Sequence, residues 1–201
     1  MTEEELPYFV TVEQIDDLVT YERRRPEVRA RMIKERELRR ISAGPFITFS
    51  FENPDTVRYQ VQEMVRAERI VDEEAIRQEI KVYADLLPSA YELSAVMMIA
   101  LTSDEALRAW LPKLIGVESS VVLIVDGEIV PGKGEEGRST DRTTSAVHYL
   151  RFPLTPAQRE RIEASAPCAL RVAHKHYDHE IEIASETVAA FARDLASVTR
   201  V

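Results

Sequence analysis

The sequence predicts an α+β fold: a mostly antiparallel sheet covered by helices, with a helical N-terminal segment over about residues 11–43. Three observations predict it. Strand-like and helix-like runs mix without the regular alternation of βαβ units. Ile47, Phe49 and Phe51 alternate with Thr48 and Ser50, the two-residue period of a half-buried strand. The stretch 121–125 is apolar at every position, which places it in the middle of a sheet. A chain of 201 residues is long enough to bury a sizeable core, and one domain over residues 1–201 is expected.

The elements follow in order. A helix is predicted over 12–21, with Thr11 as N-cap and Gln14 three residues on. Pro26 opens a second helix that runs to about Ser42, where Ala43-Gly44-Pro45 stops it. The strand around Phe49 is followed by Asn53-Pro54-Asp55, a turn into a long helix over about 56–87 with a break near Val71-Asp72. A strand at 91–101 and a helix at 103–115, capped by Ser103, precede the apolar strand. The segment 131–142 is polar and glycine-rich and reads as a mobile loop. Strands at 144–152, 168–176 and 180–183, a helix at 156–164 and a final helix from Glu186 complete the chain.

Composition narrows the function. With 45% hydrophobic and 30% charged residues the chain is an ordinary globular one. Its 35 acidic residues against 26 Lys and Arg give a net charge of −9, which argues against general nucleic-acid binding. One local exception lies between Glu22 and Arg40. Nine basic residues there (Arg23, Arg24, Arg25, Arg29, Arg31, Lys34, Arg36, Arg39, Arg40) face four acids. A solvated helix with i,i+4 pairs is the expected reading, and a docking surface for an acidic partner or RNA is the alternative. The acidic N-terminus is no secretory signal, no apolar run approaches a membrane span, and a single cysteine, Cys168, fits a reducing cytosol. A cytoplasmic protein is expected.

Two short motifs fail on context. GKGEEG, residues 132–137, matches the dinucleotide fingerprint, but a poor helix former follows it, and Glu135 and Glu136 would repel a phosphate. HKHYDHE, residues 174–180, matches the His-x-His-x-Asp-His zinc-ligand spacing of metallo-β-lactamase-like hydrolases. Those enzymes supply further ligands downstream, and no histidine follows His179 here.

Alternation is the better guide. His148 shares a strand face with Ala146, Leu150 and Phe152, and His174 with Cys168, Leu170 and Val172, so both point toward the core. His176 and His179 lie among Lys175, Asp178 and Glu180, near solvent. The helix from Asp55 to Ile70 carries an apolar stripe of Val57, Val61, Met64 and Val65, beside Arg58, Gln62 and Glu63. If that helix packs on the histidine face, Glu63, His148 and His174 form a mixed nitrogen and oxygen site for a divalent metal such as zinc, iron or manganese. Arg58 and Gln62 would equally suit a small anion.

TVRYQVQEMVRAERI, TTSAVHYLRF and, near the start, RRPEVRARMI resemble an uncharacterised bacterial family known as domain of unknown function 3501. The resemblance runs from about Val12 to Ala190. It includes an H-x-x-Y pattern that falls on His174 and Tyr177 and leaves out His176 and His179, and so adds Tyr177 to the candidate pocket. The resemblance implies no established activity. It does imply genes often placed beside a rubrerythrin-like di-iron protein and an iron–sulfur oxidoreductase, hence a link to redox or oxidative-stress metabolism. The residues themselves carry neither chemistry, since one cysteine holds no cluster and no di-iron Glu-x-x-His pair is present. The expectation is a non-catalytic accessory or ligand-binding protein. The alternative is an enzyme with its pocket between the 56–70 helix and the strands bearing His148 and His174.

Overall fold

The computed structural model describes residues 10–135 and 137–198. The fold is α+β, as the pattern predicts, but the strands form two antiparallel sheets rather than one. The first sheet has the order β1 (Arg40–Ala43), β2 (Ile47–Glu52), β3 (Glu92–Ile99), β7 (Val147–Pro153), β6 (Lys133–Gly134). The second has β5 (Glu128–Pro131), β4 (Val121–Val125), β8 (Cys168–His174), β9 (Tyr177–Glu182). β1 touches β8 and β9, and β5 touches β7, so the edges of the two sheets adjoin on both sides. Phe49, Phe51, Met97 and Phe152 of the first sheet and Leu123, Leu170 and Val172 of the second share one buried core. α5 (Pro156–Glu163) packs on α6 (Ser185–Val198), which sets Phe191 against Phe51 with ring centroids 4.5 Å apart.

The expected core strand β4 lies inside its sheet, between β5 and β8. It is not buried on both faces. Val121, Leu123 and Val125 are buried, while Val122 and Ile124 are half-buried. One face joins the core, together with Ile162 of α5, and the other is half-buried.

The N-terminal segment departs most from expectation. A 3-10 turn, Val12–Gln14, stands where a helix to Tyr21 was predicted, and α1 then runs without a break over Leu18–Leu38. Pro26 lies inside it rather than opening a new helix. Its ring faces solvent, and Tyr21 and Met32 are buried on either side of it, so packing offsets the roughly 3 kcal/mol that an interior proline costs. The helix also stops earlier than predicted. Arg40–Ala43 is a strand, with Ile41 and Ala43 inward, and Gly44 at φ +76° turns it into β2.

α2 (Pro54–Glu68) starts at Asn53, whose side chain accepts from Thr56 N, and ends at Arg69 in the left-handed region. α3 (Glu73–Ala84) restarts at the N-cap Asp72, so the predicted break is where the pattern put it. Val57, Val61 and Val65 of α2 and Ile80 of α3 build a second apolar cluster with Val10 and Leu87. α4 covers only Asp104–Trp110, and a 3-10 turn, Val117–Ser120, leads into β4. Residues 131–142 are not wholly a loop. Lys133 and Gly134 pair with Arg151 and Leu150 as the edge strand β6. Glu136 lies outside the described residues. Among the described residues no helix is long and apolar enough to cross a membrane.

The basic segment is not uniformly solvated either. Arg39 is 2% exposed and donates from Nε and Nη2 to Asp194 of α6, at 2.9 and 2.7 Å. Its Nη1 donates to the backbone and side chain of Glu35. Asn53 Nδ2 donates to the same Asp194 carboxylate at 2.9 Å. Removing one partner of such a pair strands a buried charge. Arg39→Ala and Asp194→Ala are each expected to cost about 3–5 kcal/mol, and Arg29→Ala, which is exposed, under about 1 kcal/mol, in urea unfolding. Equal, small losses at all three positions would contradict the buried-pair account.

Candidate functional site

The structure separates the predicted site residues into two places. Glu63, on α2, accepts from Tyr21 Oη at 2.6 Å and from Arg25 Nε and Nη2 at 2.8 and 2.9 Å. Arg25 holds its carboxyl below the ordinary range, against the opposing effect of burial. Gln62 is held by the backbone of Asp16, accepting from N at 2.7 Å and donating to O at 3.0 Å. Arg58 pairs with Asp55 at 2.7 Å beside a cleft of about 220 Å3 between α1 and α2. Glu63 and Gln62 bind α1 and its approach, and Arg58 stays on α2, because the apolar stripe of α2 packs into the smaller cluster and not onto the histidine strands. The expected pocket between this helix and the strands of His148 and His174 is therefore not formed.

His148 and His174 do point inward, and both are buried. His148, on β7, is 0% exposed, with Nε2 2.9 Å from Ser145 O and 3.0 Å from Thr144 Oγ1. A carbonyl only accepts, so Nε2 carries the hydrogen and Nδ1 of the neutral ring is an acceptor. That Nδ1 faces Glu118 Oε2 at 3.9 Å, and neither buried atom has a hydrogen-bond partner among the described residues. Burial lowers the His148 pKa, and Glu118 partly opposes this.

His174 sits at the end of β8, with Nε2 3.3 Å from Ile115 O. Burial lowers its pKa as well. Tyr177, paired with His174 across the β8–β9 turn, donates to Ala43 O at 2.6 Å and accepts from Ile47 N at 3.2 Å. It fastens the β1–β2 turn to the second sheet. His176 and His179 are exposed, so the three histidines of HKHYDHE do not converge. Among the described residues no group of three or more His, Cys, Asp and Glu side chains is placed to hold a metal. Glu118 and His148 offer two donors, and Glu63 belongs to another part of the molecule.

The more open space lies elsewhere. A groove of about 520 Å3 runs between the end of α3 and the β7–β6 edge of the first sheet. Val82, Tyr83 and Leu86 form one wall, and Tyr149 and Leu150 lie opposite. Lys133, Arg138 and Arg151 line it with positive charge, beside Asp85 and Glu135. Arg138 lies 4.6 Å from the centre of the Tyr149 ring and pairs with Glu135 at 2.8 Å. Arg151 is held by Glu92 and by Asp85 O. Lys133 has no ion pair among the described residues. Sequence reading missed this set. Tyr149 and Arg151 alternate with His148 and so mark the opposite face of β7, while Lys133 was hidden in a glycine-rich run that resembled a loop.

β6 separates the groove from the buried pair. A Cβ on Gly134 would lie 3.0 Å from Glu118 Cγ and 3.1 Å from Glu118 Cβ. Gly132 is similar, since a Cβ there would meet Phe152 and Val121 O at 3.0 Å, so both glycines serve packing.

A family model described as "Protein of unknown function (DUF3501)" matches residues 9–195. A crystal structure described as a novel protein of unknown function from Burkholderia pseudomallei K96243, at 1.90 Å resolution, is 34% identical. It has a TM-score of 0.86, and the match covers 92% of this chain and 98% of that one. No curated protein matches the chain.

The buried histidine has a pH signature. Its folded pKa lies below the unfolded value, near 6.5, so its contribution to stability is intact above that pH and is lost as pH falls toward the folded pKa. Unfolding free energy measured from pH 8 to pH 5 should decline below about pH 6.5, less steeply in His148→Gln than in the parent. Glu118→Gln removes the charge that supports the imidazolium, so NMR titration should find a still lower His148 pKa. An unchanged or higher value would show that Glu118 does not act on His148.

Proposed function

We propose that this chain, which belongs to the DUF3501 family of proteins of unknown function, is a ligand-binding accessory protein rather than a catalyst. The observation that carries this reading is the groove. Its volume of about 520 Å3 falls within the range of small-molecule sites, and apolar walls with a few placed charges are what such sites use to bind and orient a ligand. Lys133, which has no ion pair among the described residues, selects for negative charge beside the paired Arg138 and Arg151, and Tyr83, Tyr149 and Leu86 suit a flat or apolar body. The ligand class is therefore a small organic anion with an aromatic or apolar portion.

The side chains best able to move protons are not in the groove. His148 is enclosed behind β6, and His174 is engaged at the end of β8. Cys168 is buried, which pushes its thiol up to about 11, so it offers little thiolate for redox chemistry. A link to redox metabolism, which the family resemblance implies, would on this reading place electron transfer in a partner such as a rubrerythrin-like or iron–sulfur protein. This chain would supply ligand binding.

The test uses 8-anilinonaphthalene-1-sulfonate, an aromatic anion, as probe. Its fluorescence should rise on addition of the protein, with an affinity at least about tenfold weaker for the Lys133→Glu, Arg138→Glu double variant. Both side chains are at the surface, so circular dichroism should be unchanged. Equal affinity for parent and variant would remove the groove as the site.

A further inference from the structure

We propose that His148 senses the groove through a proton: an anion bound in the groove and a proton on the buried imidazole favour each other. The coupling rests on the groove being the ligand site proposed above. Two connections, one of hydrogen bonds and one of charge, run from the groove wall to the ring.

The first begins at Arg138, which lines the groove. Arg138 O accepts from Ser145 N at 2.9 Å, and Ser145 O in turn lies 2.9 Å from His148 Nε2. Beside this chain, Ser139 Oγ lies 2.8 Å from Thr144 Oγ1, which lies 3.0 Å from the same Nε2. The segment that carries Arg138 is thus tied to the imidazole twice. Tyr149, on whose ring Arg138 lies, directly follows His148 in β7 and takes the opposite face of the strand.

The second connection is electrostatic. Burial is the main force against protonation of His148, and the Arg138 charge adds to it, while Glu118 from the 3-10 turn opposes both. The neighbouring strand β3 sets uncharged Met97 opposite His148. An added proton goes to Nδ1, because Nε2 already donates to Ser145 O. Nδ1 faces Glu118 Oε2 at 3.9 Å, so a small approach of the carboxylate makes a charge-assisted hydrogen bond.

An anion in the groove changes this balance. Glu135 already pairs with Arg138 at 2.8 Å. The anion brings a further negative charge to Arg138, one that Lys133 helps to hold, and so lessens the repulsion that Arg138 exerts on the imidazolium. The His148 pKa rises, and by reciprocity the protonated protein holds the anion more tightly by the same factor. His148 is neutral at pH 8, since burial lowers its pKa from about 6.5. Affinity is therefore flat near pH 8. It rises as pH falls through the anion-bound pKa toward the lower pKa of the free protein.

The test titrates the full chain with 8-anilinonaphthalene-1-sulfonate, whose sulfonate stays charged throughout, from about pH 8 to about pH 5.5. Affinity for the parent should rise by up to about fivefold, and NMR should find a higher His148 pKa in the saturated protein. His148→Gln should bind like the parent at pH 8 and show no rise, with circular dichroism checking the fold at each pH. In the free protein Arg138→Gln should raise the His148 pKa. An affinity that ignores pH, an equal rise in His148→Gln, or a His148 pKa that the anion leaves in place or lowers would overturn the coupling and leave the groove reading standing. No binding at any pH, or equal binding by the Lys133→Glu, Arg138→Glu double variant, would overturn both.

Discussion

The carboxylate of Asp194 is the point on which the helical layer is hung. It receives two hydrogen bonds from Arg39 where α1 gives way to β1, and a third from Asn53, whose own oxygen caps the first turn of α2. One side chain of α6 thus fixes where α1 ends, where α2 begins and how both meet the sheets. Burial alone would lower the Arg39 pKa, and Asp194 and Glu35 outweigh it, so the guanidinium stays charged. Such a pair adds little net stability over a well-packed apolar substitute, because desolvation offsets most of the attraction. Its geometry is demanding, however. A bidentate fork with every partner placed tolerates no slip of α6 along the sheet, which an apolar contact would permit.

A second constraint ties the sheets to each other. Tyr177 reaches from β9 to Ala43 and Ile47 on either side of the β1–β2 turn, and Gly44 sits under it. A Cβ on Gly44 would lie 2.6 Å from the Tyr177 oxygen and from the His179 ring, and φ +76° would strain any other residue. Phe46 packs on Tyr177 at 4.7 Å and on Trp110 at 4.9 Å, extending the contact to α4. Tyr177 thus fastens a hairpin of the second sheet to a turn of the first, while His174 ties the same hairpin to Ile115, just ahead of the 3-10 turn Val117–Ser120.

What the sequence revealed and what it hid divide along physical lines. β2 and β7 were legible because one face of each is buried, so the two-residue period is written directly in Phe49, Phe51, His148 and Leu150. The cap Ser103, the turn at Asn53-Pro54-Asp55 and the break near Val71-Asp72 were legible because capping and turn formation are local chemistry, and the structure makes Asn53 and Asp72 caps as well. β1 was hidden because only Ile41 and Ala43 mark its inner face, at the end of an arginine-rich run that suits a helix equally well. The partners of Glu63 were hidden because choosing between α1 and the histidine strands is a tertiary decision, made by the valine stripe of α2 and its neighbours Val10 and Ile80. Glu118 carried no periodic signal, since it stands in one 3-10 turn between two elements.

The two motifs that match known chemistry fail for one reason, which is that distance along the chain does not set distance in space. In HKHYDHE the turn at Lys175 and His176 reverses the strand, so His174 faces Tyr177 across the hairpin and is buried, while His179 pairs with Val172 and is exposed. Metal ligands at this spacing would have to leave one loop in a common direction, and a β-turn sends them to opposite surroundings. In GKGEEG, Lys133 and Gly134 are paired to β7, so Gly132 and Gly134 meet Phe152 and Glu118 rather than opening a helix toward a phosphate. Gly134 allows a carboxylate to lie directly beneath an edge strand. That close approach is what encloses Glu118 with His148, and it is why the buried pair and the groove, though neighbours, are separated by a single extended stretch of backbone.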